Sequence, residues 1–341
     1  MNLRGQMREW ARSAAQELDR PKTPLRRAAF LTARLIVIVL VIYGIGRHLW
    51  SMSGDVNWFA LRIHWGWLVI CGVLYLAAQL LLGVFYRLVV VDMGGQPQPG
   101  RAVCAYLVSQ LGKYVPGKAM VIIIRAGMLR GRGVRASVAA LATFFETPTS
   151  LGAGAAIAFG ILASEFGAEV EGRAALLAIA GGLALLLGVL MSPWVFRWIL
   201  KLVSLPFRAD DEEAPAVGMR TRLVLIPLML AVWALLGASA VACADAVSAE
   251  PLSATQWPLL LAATALAMAA GFAVVVMPSG LGVREWVIME VLAPSLGSEV
   301  AVFAAVGLRV VWLVVEVLAS AITYGWVEAW NRRDRPPESA P

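Results

Sequence analysis

The chain has 341 residues, 60% of them hydrophobic and only 15% charged. So apolar a composition excludes a soluble globular domain and places the chain among multi-span membrane proteins. The formal charge of +7 would point to nucleic acid in a soluble protein, but here the bases stand beside apolar runs, where they set topology and meet anionic lipid. No nucleic-acid partner is expected.

Residues 1 to 30 form a basic segment carrying Arg4, Arg8, Arg12, Arg20, Lys22, Arg26 and Arg27. This lead is too long and too basic for a cleavable signal, so the first apolar run is expected to stay as an anchor with the N-terminus cytoplasmic. At about 20 apolar residues per span, six runs qualify: 31 to 50, 66 to 91, 135 to 163, 174 to 200, 222 to 247 and 299 to 327. His48 and His64 lie near the outer ends of the first two, among Trp50, Trp58, Trp65 and Trp67, and read as interfacial anchors. Cys71, Cys104 and Cys243 have neither paired nor CxxC spacing, and no HExxH, Walker, GxSxG or dinucleotide fingerprint occurs. Metal, cofactor and enzymatic activity are therefore not expected.

Two further apolar stretches are broken by proline and glycine. Residues 101 to 115 and 116 to 128 are each too short to cross, and 256 to 277 is followed by a short partner, 279 to 292. Both pairs read as re-entrant helical hairpins. The alternative in which 256 to 277 crosses fully would move the Asn331-Arg332-Arg333-Asp334-Arg335 tail outside. With two hairpins, 21 of the 29 Lys and Arg fall on the cytoplasmic side and only Arg47, Arg62 and Arg173 outside, a strong positive-inside bias. Lys113, Lys118, Arg125, Arg284 and Arg309 remain at membrane depth.

That topology makes an all-α polytopic membrane protein of six full spans and two hairpins, with a cytoplasmic C-terminal tail at 329 to 341. Repeat 1 (about 66 to 163) and repeat 2 (about 222 to 327) run in opposite senses across a polar linker at 206 to 221, and so form an inverted repeat. Pro116 precedes Glu146 by 30 positions and Pro278 precedes Arg309 by 31. Inverted repeats with broken helices at the midplane are a recurring transporter design.

Helix breaks and charges are both costly in lipid, which makes the two breaks the candidate site. At the first, Pro116 and Gly117 open a short helix with Lys118 in its first turn and Arg125 two turns on; Lys113 stands just before the break. Helix N-termini bind anions through free amides, and Arg adds a bidentate fork suited to phosphate. At the second, Pro278-Ser279-Gly280-Leu281-Gly282 lets backbone approach a ligand, with Arg284 for the headgroup and Glu285 for the dipole or a neighbouring base. Glu146 and Arg309 are expected to bridge the halves as a gate or coupling element, with Glu316 and Glu290 as weaker candidates for proton coupling. The plainer readings are snorkelling bases, interfacial charge pairs and a static interior salt bridge.

The runs Gly112-Lys113-Tyr114-Val115-Pro116-Gly117-Lys118 through Arg125, and Pro278-Ser279-Gly280-Leu281-Gly282-Val283-Arg284-Glu285, resemble the flippase-like membrane domain of the lysylphosphatidylglycerol synthase/flippase family. The similarity covers roughly 31 to 328. Many relatives have a Gly-Glu pair before the first Arg, whereas Ile123 and Ile124 precede Arg125 here; short stand-alone members match better. The resemblance implies movement of a phosphate-headgroup lipid, phospholipid or polyprenyl-phosphate glycolipid, anionic or zwitterionic, between leaflets of the bacterial inner membrane. The family's synthases carry an aminoacyl-transferase domain after the membrane part, and this sequence ends about a dozen residues after its last span, so lipid aminoacylation is not expected. The alternatives are a membrane-embedded lipid-modifying transferase and a non-transporting scaffold for an envelope glycosyltransferase.

Overall fold

The computed structural model describes residues 62–114, 119–130, 132–165, 217–273 and 278–333, with isolated positions at 43, 178, 181, 182 and 185. Among them the regular structure is helical, with no strand: α1 (Trp65–Asp92), α2 (Pro99–Ser109), α3 (Ala119–Leu129), α4 (Ala136–Glu165), α5 (Met219–Asp245), α6 (Trp257–Ala273), α7 (Val283–Leu296) and α8 (Ser298–Arg333). Short 3-10 segments, Gln110–Tyr114 and Pro278–Gly280, stand at the two expected breaks.

Four helices, α1, α4, α5 and α8, are long and apolar enough to cross a membrane. The 28 residues of α1 rise about 42 Å against a hydrocarbon thickness of about 30 Å. These are four of the six expected spans. The runs 31 to 50 and 174 to 200, the basic segment 1 to 30, linker positions 206 to 216 and tail positions 334 to 341 lie outside the described residues, apart from the isolated positions.

Sequence pattern explains which face each span turns to lipid. Along α1, Val69, Val73, Leu80, Val84 and Val91 are exposed, while Cys71, Tyr75, Ala78, Leu82 and Phe85 are buried. A stripe of bare apolar side chains at helical spacing suits hydrocarbon and would be a liability in water. On α8, Val310, Val314, Val317 and Leu318 form the same kind of stripe.

The centre of the molecule is the antiparallel pair of α1 and α5. His64 N donates to Ala246 O at 2.8 Å at one end, and at the other the Asp92 carboxylate accepts from Gly218 N. Around this pair, α2 packs on α1 and α8, and α6 packs on α5 and α4. Glycines permit the approach at corresponding places: a Cβ on Gly83 of α1 would lie 2.9 Å from Val103 of α2, and one on Gly237 of α5 would lie 2.9 Å from Leu261 of α6. Without a water-driven hydrophobic effect between helices in lipid, such close backbone packing is a main source of association.

The remaining helices are short. α2 and α3 have 11 residues each and α6 has 17, about 16 and 25 Å long. α2 packs on α3 and α3 on α4, as α6 packs on α7 and α7 on α8. Each helical pair closes on glycine. A Cβ on Gly112 would sit 2.8 Å from Val121 N, and one on Gly280 would sit 2.5 Å from the Gly271 Cα.

Candidate functional site

The two breaks meet: the segment Gln110–Tyr114 packs against the turn Pro278–Gly280. Far apart in sequence, they become neighbours because α2 and α6 both lean on the central α1–α5 pair.

The second break is built from unusual backbone. Ser279, Gly280 and Gly282 have φ of 53°, 66° and 81°. Glycine takes these values freely, whereas at Ser279 the conformation costs on the order of 1–3 kcal/mol and persists only if its surroundings hold it. Arg309 does so by donating from Nη1 to the Ser279 carbonyl at 3.2 Å. The turn launches α7, where Glu285 Oε2 accepts from Gly282 N at 2.7 Å, the carboxylate half of a capping box. The other oxygen of Glu285 lies 3.3 Å from Arg309 Nη1. Arg284 lays its stem on α6, so close that a Cβ on Gly271 would fall 2.6 Å from the Arg284 Cγ. Among the described residues Arg284 has no ion-pair partner, and its Nε is buried without a hydrogen bond.

At the first break Lys113 pairs with Glu316 of α8, whose side chain is only 1% exposed. The same Glu316 oxygen accepts from the Tyr75 hydroxyl, which in turn accepts from the Gln79 amide. Tyr75 stacks on Trp312 with ring centroids 4.4 Å apart, and Trp312 Nε1 donates to Ser239 Oγ at 3.0 Å, joining α1, α5 and α8. The Tyr114 ring takes Lys113 Nζ at 5.4 Å and the Arg309 guanidinium at 5.9 Å. Arg284 and Lys113 are within electrostatic range of each other and of Arg309. Three cations thus share one locality with two carboxylates, Glu285 and Glu316.

The expected Glu146 to Arg309 bridge between halves does not form. Glu146 instead accepts from Arg125 Nη1 at 2.7 Å, and Arg309 pairs with Glu285. The physical reason is proximity: α3 packs on α4 and α7 on α8, so the neighbouring short helix supplies the nearer counter-charge in each case. Arg125 is 2% exposed, its guanidinium lies 4.6 and 4.4 Å from the Tyr86 and Tyr106 rings, and its Nε donates to Ser109 Oγ at 2.8 Å. So sealed, Arg125 is an internal strut and not a group open to a ligand.

Of the other expected residues, Pro116, Gly117 and Lys118 lie outside the described residues, Pro278 opens the second turn, and Glu290 is exposed on α7. The structure brings together Lys113, Ser279, Arg284 and Glu285, which sequence reading assigned to a ligand, with Arg309 and Glu316, which it assigned to coupling, and adds Tyr75, Gln79, Tyr114 and Trp312, which it missed. A Gln four residues after a Tyr in an otherwise apolar span was the available signal, since polar groups in hydrocarbon need partners.

Chemically the locality offers more positive than negative groups and several unmade hydrogen bonds. Gln79 Oε1, Ser279 Oγ, Arg284 Nε, Glu285 Oε1, Arg309 Nη2 and Glu316 Oε2 are all buried without a hydrogen-bond partner among the described residues. Buried polar atoms are nearly always paired, so their convergence marks a place suited to a polar ligand. The chain matches no protein-family model and no curated protein.

Proposed function

We propose that the chain is a lipid translocase of the bacterial inner membrane that passes a phosphate headgroup through the junction of the two breaks while the acyl or prenyl chains stay in lipid. The observation that carries this reading is Arg284, a cation without a counter-ion among the described residues, set beside the Lys113–Glu316 and Arg309–Glu285 pairs in a chain with four membrane-length helices. A lone cation in hydrocarbon is costly, and an anionic ligand offsets that cost. Resemblance of the two break motifs to the flippase-like domain of the lysylphosphatidylglycerol synthase/flippase family supports the same reading.

On this proposal the molecule has six spans and two re-entrant hairpins in an inverted repeat. Support comes from the matched packing of α1–α2–α3–α4 and α5–α6–α7–α8 and the corresponding glycine contacts at Gly83 and Gly237. Each hairpin is tied to the span after it by an ion pair of reversed polarity, Arg125 to Glu146 and Glu285 to Arg309. Movement of the α1–α5 seam would then expose the junction to either side, as rocking of repeats does in transporters. A transferase is the weaker reading because both carboxylates at the junction are committed to cations, which makes them poor general bases.

Reconstitution tests the proposal. In proteoliposomes with a fluorescent phospholipid, the inner-leaflet label becomes reducible by dithionite when the protein is present; a label as protected as in empty vesicles contradicts it for that lipid, and a chemically altered lipid favours the transferase.

A further inference from the structure

The three ion pairs at the breaks are not alike. Arg125–Glu146 and Glu285–Arg309 each join a short helix to the next helix in the chain, whereas Lys113–Glu316 joins residues 203 positions apart, one from each proposed repeat. Its two partners are held differently. The Glu316 side chain is 1% exposed and is fixed against α1, where Tyr75 donates to it and stacks on Trp312, one turn before it on α8. Lys113 is 22% exposed and stands on the 3-10 segment of the break. Lys113 is therefore the partner free to leave.

Without Lys113, Glu316 would be an unpaired carboxylate at membrane depth, and such a group takes up a proton instead of standing charged. Its surroundings serve both forms. With Glu316 ionised, the Gln79 amide donates to the Tyr75 hydroxyl and Tyr75 donates to Glu316. With Glu316 protonated the same chain runs backwards: the carboxyl donates to Tyr75, and Tyr75 donates to Gln79 Oε1, brought round by a half-turn of the amide. That oxygen is buried without a hydrogen-bond partner while Glu316 is ionised. Both directions keep two hydrogen bonds.

The other groups facing this locality are Tyr114 beside Lys113, Tyr106 on α2, Arg309 two turns before Glu316 on α8, and Arg284 and Glu285 on α7. From α5 comes Ser239, bonded to Trp312. Arg309 is already paired with Glu285, and the Arg284 stem lies against Gly271 of α6; neither pairs with Glu316.

Resting on the translocase reading, we infer that Glu316 binds a proton whenever an anionic headgroup takes Lys113, so that lipid and proton cross together. As Lys113 turns to the headgroup, an O–H bond forms on the Glu316 carboxylate with a proton from water on the open side. On release Lys113, still an ammonium, returns to Glu316, and the proton leaves to water on the other side. Three bases stand against two carboxylates at the junction among the described residues, and a singly charged headgroup arriving with a proton leaves that balance unchanged. The headgroup also avoids meeting a second negative charge at Glu316.

The test uses the full chain in proteoliposomes with a tracer of fluorescent phosphatidylglycerol, the membrane potential clamped at zero and the interior made acid. At one proton per lipid, a gradient of about one pH unit is worth about tenfold in the distribution of label between leaflets. Label should gather in the outer, alkaline leaflet, as read by a brief dithionite pulse, and a protonophore should return it to an even distribution. Glu316→Gln, which has no carboxylate to protonate, should stay even with or without the gradient, whatever its rate. If that variant does not exchange lipid, Tyr75→Phe decides: it keeps the ring on Trp312, removes the hydroxyl through which the chain reverses, and should lower the bias below that of wild type. Infrared spectra give a readout apart from transport. In a maltoside without lipid, Lys113→Met should show the carbonyl stretch of a neutral carboxyl at neutral pH, lost on adding Glu316→Gln. An even distribution in wild type under the gradient, a bias unchanged in Glu316→Gln or in Tyr75→Phe, or no neutral carboxyl in Lys113→Met overturns the inference and leaves the translocase reading standing. If label does not cross at all in wild type, both fall.

Discussion

Arg125 on α3 donates to Glu146 on α4 at 2.7 Å, inside a sleeve made by the Tyr86 and Tyr106 rings. Both partners are buried, so removing one strands the other. Arg125→Ala should cost about 3–5 kcal/mol of stability, read as a large fall in thermal unfolding temperature in detergent. Replacing both partners, as in Arg125→Met with Glu146→Leu, should recover most of that loss, because an apolar pair of similar volume often matches a buried ion pair. A single variant as stable as wild type would show that the pair does not hold α3 to α4.

Gly271 and Gly280 face each other at the second break, yet substitutions there should act differently. A Cβ on Gly271 would meet the movable Arg284 side chain at 2.6 Å, whereas one on Gly280 would meet the Gly271 backbone at 2.5 Å from a φ of +66°. Gly271→Ala is expected to displace Arg284 and lower lipid exchange with a stability change under about 1 kcal/mol. Gly280→Ala should destabilise by about 1–3 kcal/mol, since backbone cannot yield and alanine disfavours that conformation. Thermal unfolding beside exchange rate separates the two effects.

Ser279 holds φ at 53° with its hydroxyl unpaired. Ser279→Gly should therefore raise stability by about 1 kcal/mol through relief of the strained conformation, and it should weaken headgroup binding by removing a donor. A gain of stability with undiminished binding would assign the hydroxyl no part in the site.

Topology is open to labelling because the native cysteines Cys71, Cys104 and Cys243 are at most 3% exposed and should react slowly. In intact cells, an impermeant maleimide should modify Ala254→Cys, in the loop before α6, and should reach Arg130→Cys, after α3, only on permeabilisation. Labelling of both from one side would contradict the inverted arrangement.

The spans were legible because α1, α4, α5 and α8 are long apolar runs, and the breaks were legible because proline and glycine interrupt such runs at a cost in lipid. Partnering was not. The near-equal spacing of Pro116 to Glu146 and Pro278 to Arg309 suggested that the opposite charges attract across the halves, whereas the nearer counter-charges lie on α3 and α7 at Arg125 and Glu285. Consecutive elements are usually neighbours in space, and that rule outweighs sign complementarity at a distance. Tyr75 and Gln79 went unseen because a span reads as apolar on average, and only contact with Glu316 shows what its two polar residues face.

The central claim, that a lipid headgroup passes at Arg284, is tested most directly by dithionite access in proteoliposomes made with wild type and with Arg284→Gln. Both proteins should elute as monodisperse species with the same helical content. The account predicts that wild type renders the inner-leaflet label reducible and that Arg284→Gln leaves it protected; equal access in the two would contradict it.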